Sequence, residues 1–421
     1  MSKHELIIIG AGAAGMLAAV AAAQKGISVL LLEKMEKAGR KIRITGKGRC
    51  NITNTKEWDE FSGHIYPKSR FLKPAFYNFS NVQTISFFES IGLPVVIERG
   101  DRVYPESGRS EDVVESLVRH LTSLGVEISY NSKVVDIITK DSIVERVVWL
   151  KNGKRHEEVV KAVIIATGGL AYPLTGSDGD GYVFAKKLNH SLTKCWPSLT
   201  ALMPRNYITG LEGLTLKNVD IELYVGGELV QSERGDIDFT NNGIEGPIGL
   251  KISRKAVKAL INGEKVYTVI DLKPALTEEQ VTNRIKRELK ERGTLQIWNL
   301  MNLLLPKQLI SAFLFNNKIK TETSVGINDE KTICLIVKSL KYWKIDLESY
   351  TSYERAVITA GGISLDEIVS KSMSSKLVLN LFFAGEVIDL DADTGGYNLQ
   401  IAFSTGYLAG SEAAHLIEKS R

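Results

Sequence analysis

LIIIGAGAAGMLAAVAAAQKGISVLLLE, residues Leu6 to Glu33, is the stretch from which the fold can be read. Leu6–Ile9 predicts a buried strand, and Gly10, Gly12 and Gly15 follow it in G-x-G-x-x-G spacing. A small-residue helix (Met16–Gln24) comes next, then a second apolar strand (Val29–Leu32) ending in the acid Glu33. Each part has a physical task. Gly10 permits a tight turn, Gly12 lets backbone N–H groups approach a pyrophosphate, and Gly15 lets helix and strand pack closely. Ala13 and Ala14 sit between them, where the helix N-terminus favours phosphate charge. Glu33 is placed to accept hydrogen bonds from a ribose diol, and its charge disfavours a 2′-phosphate. These residues specify an adenosine-diphosphate ligand, FAD or NAD(H), without choosing between the two.

The bland rival for this stretch is a secretory signal, because Leu6–Ala23 carries no charge and contains A-x-A-like triplets. Its alanine and glycine content keeps the hydrophobicity modest, and cleavage would strand VLLLE without a sheet partner, so a retained domain is expected. The chain has 421 residues, 44% apolar and 24% charged, the composition of a folded protein. That length suggests roughly two or three domains. Beyond the N-terminal segment no apolar run approaches the roughly 20 residues that a membrane span needs. The cysteines Cys50, Cys195 and Cys334 are odd in number and lack C-x-x-C or Cys/His metal spacing. No metal site is expected, and a reducing cytoplasm fits. The net charge of +4 permits an anionic substrate or RNA but argues for neither.

Along the chain, Lys34–Asn54 reads as a loop rich in glycine and basic residues, and Asp59–Leu124 as mainly helical. From Val126 the pattern turns to short β-branched strands: VEISY, KVVDII, SIVERVVWL and HEEVVKAVIIA. Lys151–Asn152–Gly153 suits a hairpin turn. The very apolar Ala162–Ala166 ends in Thr167–Gly168–Gly169, where small residues again permit close backbone approach. Leu199–Leu272 looks like strands with loops, with a turn-rich Phe239–Gly249, and Thr277–Ile345 looks helical. Ala356–Gly362 and Leu377–Glu386 return to strand-like runs, and Asn398–Glu418 predicts a C-terminal helix. A sheet that starts at residue 6 and gains its last strand near residue 383 implies one nucleotide-binding domain interrupted by an insertion.

With these blocks in view, the chain resembles the BaiN-like (YhiN-like) flavoproteins, relatives of glutathione-reductase-type and fumarate-reductase-type FAD proteins. GAGAAG (Gly10–Gly15), GRKIRITGKGRCNITN (Gly39–Asn54), DRVYPESGRS (Asp101–Ser110), ATGG (Ala166–Gly169) and TGSDGDGY (Thr175–Tyr182) carry the resemblance. FTNNGIEGPIGLKIS (Phe239–Ser253), TAGGIS (Thr359–Ser364) and FAGEVIDLDADTGGYNLQIAFSTG (Phe383–Gly406) complete it. In one block the family often reads F-T-H-x-G-x-S-G-P, whereas Asn241 and Glu245 stand here, so substrate chemistry that uses the histidine does not carry over. The resemblance implies an α/β fold: a Rossmann-like FAD-binding domain of the glutathione-reductase type, interrupted by an inserted β-rich plus helical domain. The expected bounds are 1–190 and 351–421 for the FAD domain, 191–275 for the β-rich insert and 276–350 for the helical subdomain.

The resemblance also assigns roles. FAD is the implied cofactor, with Gly10, Gly12, Gly15, Glu33 and the adjoining Lys34 around its ADP half. The backbone at Val135 would meet the adenine edge, and Arg40 and Lys41 would neutralise pyrophosphate. Gly46–Asn51 would lie along the ribityl chain and isoalloxazine, with Arg49 and Asn51 as donors and Cys50 as a small packing residue. Thr167 and Gly168 belong to the ATGG turn, and Gly385 and Glu386 open the last block. Asp389 would bind a ribityl hydroxyl, and Gly395–Gly396 would let the backbone pass the flavin. Tyr397, Asn398, Leu399 and Gln400 begin the last helix, whose N–H groups would face the flavin N1/O2 edge. A positive helix end there favours hydride acceptance.

The expected activity is FAD-dependent hydride transfer between flavin N5 and a small substrate held between the FAD domain and the insert. NADH or NADPH would serve as a transient reductant, since no second G-x-G-x-x-G follows a strand in the insert. The alternatives are reduction of a ribosomal RNA uridine, an oxygen-using amine or aminoketone oxidase, and a non-enzymatic flavin-binding protein. The basic stretches Lys251–Lys258 and Arg284–Arg292 permit RNA but read better as solvated helix faces. No acid–base catalyst stands out. Tyr172, Tyr397 and Arg49 are candidates by proximity alone, and surface positions are expected for His4, His64, His120, His156, His190 and His415.

Overall fold

The computed structural model describes residues 3–207 and 209–421. It divides into two compact units, residues up to Trp196 with Val357–Arg421, and Pro197–Ala356. The elements that position the site in the first unit are β1 (Leu6–Ile9), α1 (Ala13–Ala23), β2 (Val29–Leu32), β3 (Glu127–Ser129), β4 (Ala162–Ile165), β5 (Leu381–Phe383) and α2 (Tyr397–Lys419). Residues of β1, β2 and β4 are buried throughout, as expected of apolar runs in a parallel sheet covered on both faces. The sheet order is β5-β4-β1-β2-β3, with all neighbours parallel. Ile9 pairs with both Leu32 and Ile165, and Ile165 pairs with Phe383, so the carboxyl ends of four strands lie level.

Helix α1 is apolar nearly all round and almost wholly buried. It packs on α2 at two glycines: a Cβ at Gly406 or Gly410 would run into the carbonyl oxygens of Ala14 and Ala18. The strands Ser132–Lys140, Ile143–Lys151 and Lys154–Val159 form an antiparallel sheet. Its second turn places Asn152 and Gly153 at φ of 50° and 77°, the positive pair that a two-residue hairpin turn requires.

Three stretches differ from expectation. The 34–54 segment holds a short helix (Arg40–Ile44) and a 3-10 turn (Thr45–Gly48) where a loop is expected. Within the helical 59–124 region, Val95–Glu98 and Arg102–Pro105 form a hairpin, signalled by the β-branched run Val95–Ile97. In the second unit, Gly246–Ile261 is a helix rather than strand and loop, with proline in its first turn where the missing N–H costs nothing.

The second unit is built on a closed antiparallel barrel. Its strands run Leu202–Pro204, Gly243–Glu245, Glu228–Thr240, Thr215–Val225, Val266–Asp271 and Trp343–Tyr350, the last pairing back to the first. Trp343–Tyr350 is therefore a barrel strand and not the tail of a helical region. Its alternation is that of a half-buried strand, with Trp343, Ile345 and Leu347 inward. Helices Glu278–Arg292, Lys307–Asn316 and Glu330–Lys341 fall where the periodicity predicts them.

Candidate functional site

The carboxyl ends of β1, β2, β4 and β5 open on a cleft of about 1250 Å³, counting the solvent in its mouth. Clefts at this end of a parallel sheet are the usual ligand sites of open α/β folds. Gly10 leaves β1 at a φ of 103°, and a Cβ there would stand 2.6 Å from the Ala166 carbonyl oxygen. A Cβ at Gly15 would overlap the Gly10 carbonyl, so Gly15 supports the turn from behind. Gly12 is different: nothing lies within 4 Å of its would-be Cβ. It caps α1 without any side-chain acceptor, and Gly12, Ala13 and Ala14 line the cleft. The first N–H groups of α1 lack intrahelical partners and meet open space, the arrangement that binds phosphate.

Glu33, at the end of β2, accepts hydrogen bonds from the Ala11 N–H at 2.9 Å and the Met35 N–H at 2.8 Å. Burial pushes its carboxyl above the usual range, against those two bonds. Each oxygen keeps a second lone pair for a hydroxyl. Lys34 pairs with Asp178 and Asp180, and Arg40 with Glu36 and the Leu174 carbonyl. Lys41 Nζ lies 2.6 Å from Glu386 Oε2, while Glu386 Oε1 accepts from the Thr359 N–H at 2.9 Å. Thr359 Oγ1 in turn accepts from the Leu170 and Ala171 N–H groups. One network thus fixes the turn after β4, the turn after β5 and Lys41.

Thr167 and Gly168 line the cleft, and the buried Thr167 Oγ1 has no partner among the described residues. Gly385 lines it as well, with its would-be Cβ 2.7 Å from Ala14. At the start of α2, Gly396 (φ 95°) is an N-cap without a side-chain acceptor, and Asn398 and Leu399 face the cleft. The Asn398 amide grips Ala392 on both sides, accepting from its N–H at 2.9 Å and donating to its carbonyl at 2.8 Å.

Other expected residues lie outside this lining. Arg49 forms a fork with Glu98 and sits 4.4 Å over the Tyr104 ring. Cys50 is fully buried, and burial pushes its thiol up to about 12, which leaves it without thiolate character. Gly46, Asn51 and Asp389 do not line the cleft, although Asn51 Oδ1 is buried without a partner among the described residues. Tyr397 is buried against Phe61 and His64. Gln400 is fully buried, its N–H already donates to the Gly396 carbonyl, and its side chain serves Thr53, Phe79 and Ser404. The unspent N–H groups of α2 are accordingly those of Tyr397, Asn398 and Leu399. Val135 is passed over in the strand register, between Val134 paired with Trp149 and Asp136 paired with Val148, and it is Val134 that lines the cleft.

Gly39, Thr45, Gly176, Ser177, Val357 and Ile358 also line the cleft without having been singled out. The glycine density of TGSDGDGY is the signal that marks Gly176 and Ser177; Val357 and Ile358 carry none. Of the histidines, His156 and His415 take the expected surface positions and others depart from them. His4 and His190 are buried, His190 is pushed toward its neutral form by that burial, and His64 is held by Asp393. Among the described residues no three His, Cys, Asp or Glu side chains are grouped to hold a metal, and no helix is long and apolar enough to cross a membrane.

The orphaned Thr167 hydroxyl, the open Gly12 and two helix ends without side-chain caps are features that a dinucleotide such as FAD would fit. A model of the HI0933-like protein Rossmann domain matches residues 4–412. A 3-dehydro-bile acid delta(4,6)-reductase of Clostridium scindens is 29% identical, covering 97% of this chain and 98% of that protein. A ribosomal RNA dihydrouridine synthase of Haemophilus influenzae is 30% identical, with 97% and 98% covered. Among solved structures, a 3-ketosteroid delta1-dehydrogenase from Sterolibacterium denitrificans aligns over 98% of this chain and 99% of its own, with a TM-score of 0.56 at 13% identity, which speaks to the fold. On the fingerprint, the cleft and a match across nearly its whole length, the chain belongs to the HI0933-like family and is an FAD-dependent oxidoreductase.

Proposed function

We propose that this protein reduces a carbon–carbon double bond conjugated to a carbonyl in a small molecule, with NADH or NADPH as transient reductant. FAD, when bound, would supply hydride at N5. Gly10, Gly12, Glu33, Lys41, Gly385, Asn398 and Leu399 would hold that cofactor. The observation that carries the reading is the start of α2, whose capless first turn and positive dipole end favour the negative charge of a reduced flavin. The substrate class is supported by what the two relatives' names share: a bile acid delta(4,6)-reductase and a dihydrouridine synthase both saturate an alkene activated by a nearby carbonyl.

The RNA reading is the second candidate, supported by the 30% identical relative. Against it, much of the basic charge in the second unit is engaged at home. Lys251 pairs with Glu233, Lys255 donates to the Val230 carbonyl, Lys286 pairs with Glu330 and Arg292 with Glu288. Anaerobic spectrophotometry with NADH and NADPH, followed by reoxidation with an enone, ribosomal RNA or oxygen, tests the proposal. Rapid bleaching and fast reoxidation by the enone are expected. Fast reoxidation by RNA alone, or by oxygen alone, would replace this reading with a base reductase or an oxidase.

A further inference from the structure

His64 ends a short helical turn, Ser62–His64, and the next residues, Ile65–Tyr66, pair antiparallel with Asp391–Ala392 on the approach to α2. Two hydrogen bonds close this junction. The Asp393 N–H donates to the His64 carbonyl at 3.0 Å, and Asp393 Oδ2 lies 2.8 Å from His64 Nδ1. The carboxylate side chain is 8% exposed and the imidazole 26%. The ring stacks on Tyr397 at 4.4 Å, and Tyr397 opens the helical turn whose next two residues line the cofactor cleft. His64 Nε2 has no partner among the described residues.

A carboxylate fixed at Nδ1 keeps a proton on that nitrogen and leaves Nε2 to gain and release one, which is how an imidazole is prepared for acid–base work. The groups facing the ring are few. Asp393 approaches from the segment before α2, Glu60 from the preceding turn, and the Tyr397 phenol from α2, with Asp101 and Arg102 beyond that phenol.

We infer that His64, oriented by Asp393, is the proton donor of the reduction. The inference rests on the substrate reading given under Proposed function. Hydride arriving at the far alkene carbon, supplied by the family's flavin chemistry, breaks the π bond and leaves an electron pair beside the carbonyl. That pair forms the new C–H bond as the Nε2–H bond of His64 breaks, and the imidazole is left neutral. Solvent returns the proton. Asp393 is a positioning residue: it sets the tautomer and the ring plane.

The test uses the full chain loaded with FAD as wild type, His64→Gln and Asp393→Asn, each reduced anaerobically and reoxidised with 2-cyclohexenone over about pH 5 to 9. Wild type should slow toward high pH as one proton is lost, with a solvent deuterium isotope effect. His64→Gln should retain bound FAD, reoxidise roughly 100-fold more slowly and lose both signatures. Asp393→Asn should lose less rate than His64→Gln, since it removes the group that orients the ring and not the donor. Imidazole nitrogen NMR of the wild type gives a readout independent of turnover, with the neutral His64 ring protonated at Nδ1. A wild-type rate in His64→Gln, or a neutral ring protonated at Nε2, overturns the inference alone. Wild-type protein inert toward the enone overturns the substrate reading, and this inference with it.

Discussion

Gly12 and Gly15 are three positions apart in one fingerprint and do opposite work. At Gly12, φ is −83° and a methyl would meet no neighbour, so Gly12→Ala should fold normally and obstruct only the ligand. Its Tm without FAD should match wild type while FAD binding weakens about tenfold, a cost near 1.4 kcal/mol. At Gly15 a methyl would collide with the Gly10 carbonyl, and Gly15→Ala should lose several kcal/mol of stability before any question of binding arises. Thermal unfolding with and without FAD separates the two; equal Tm losses would contradict this division of labour. The spacing of the glycines was legible in the sequence because backbone geometry dictates it. The placement of Arg49 was not, since a long side chain is directed by its partners, here Glu98 and Tyr104, which lie 49 and 55 positions away.

At the scale of the element, α2 is held from behind. Gln400 accepts from Thr53 Oγ1 at 2.6 Å and donates to the Phe79 carbonyl at 3.1 Å and to Ser404 at 2.9 Å, and Ser404 bonds the same carbonyl. This buried polar cluster fixes the helix whose first turn meets the cleft. Gln400→Leu should leave the Thr53 hydroxyl without its acceptor and cost about 1–3 kcal/mol, read as a lower midpoint in urea. FAD should still bind once the protein is folded, because the Gln400 side chain faces away from the cleft. A variant as stable as wild type but unable to bind FAD would reassign the residue to the ligand. The helix itself was legible from its apolar spacing. Which of its residues face inward was not: the polar Gln400 looks like a ligand contact when it is a core residue. Gly246–Ile261 was missed for a related reason, since a glycine–proline start and scattered glycines imitate a turn until tertiary packing selects the helix.

Over the whole molecule, the first unit is assembled from both ends of the described chain. Arg421 donates to both oxygens of Glu5, just before β1, and Lys161, just before β4, reaches the same carboxylate at 3.1 Å. The Arg421 bond, aided by Lys161 and opposed by partial burial, lowers the Glu5 carboxyl from its ordinary 4.5 to about 2. The folded value is depressed, so the stabilisation is present above about pH 4.5 and drains away as pH falls through about 2. With both basic partners partly screened by water, Glu5→Gln should cost about 1–2 kcal/mol near neutrality and almost nothing at the acid end. Melting curves across that interval check it; a gap that stays constant with pH would show the clamp to be uncharged in effect. Two-part architecture was legible from the sheet that opens at residue 6 and closes near 383. The barrel was not, because closing it needs Trp343–Tyr350 to pair with Leu202–Pro204 far upstream, and such pairings leave no local periodicity.

The two glycines that seat α2 on α1 also set a timetable. A ribosome delivers β1 and α1 first, then the entire barrel, and only afterwards the helix whose bare backbone fits against Ala14 and Ala18. Until that moment α1 lacks the helix that packs against Ala14 and Ala18. A nascent chain halted inside the barrel therefore carries the fingerprint without the helix that packs behind it, so retention of the flavin dinucleotide is expected only from molecules translated past residue 410.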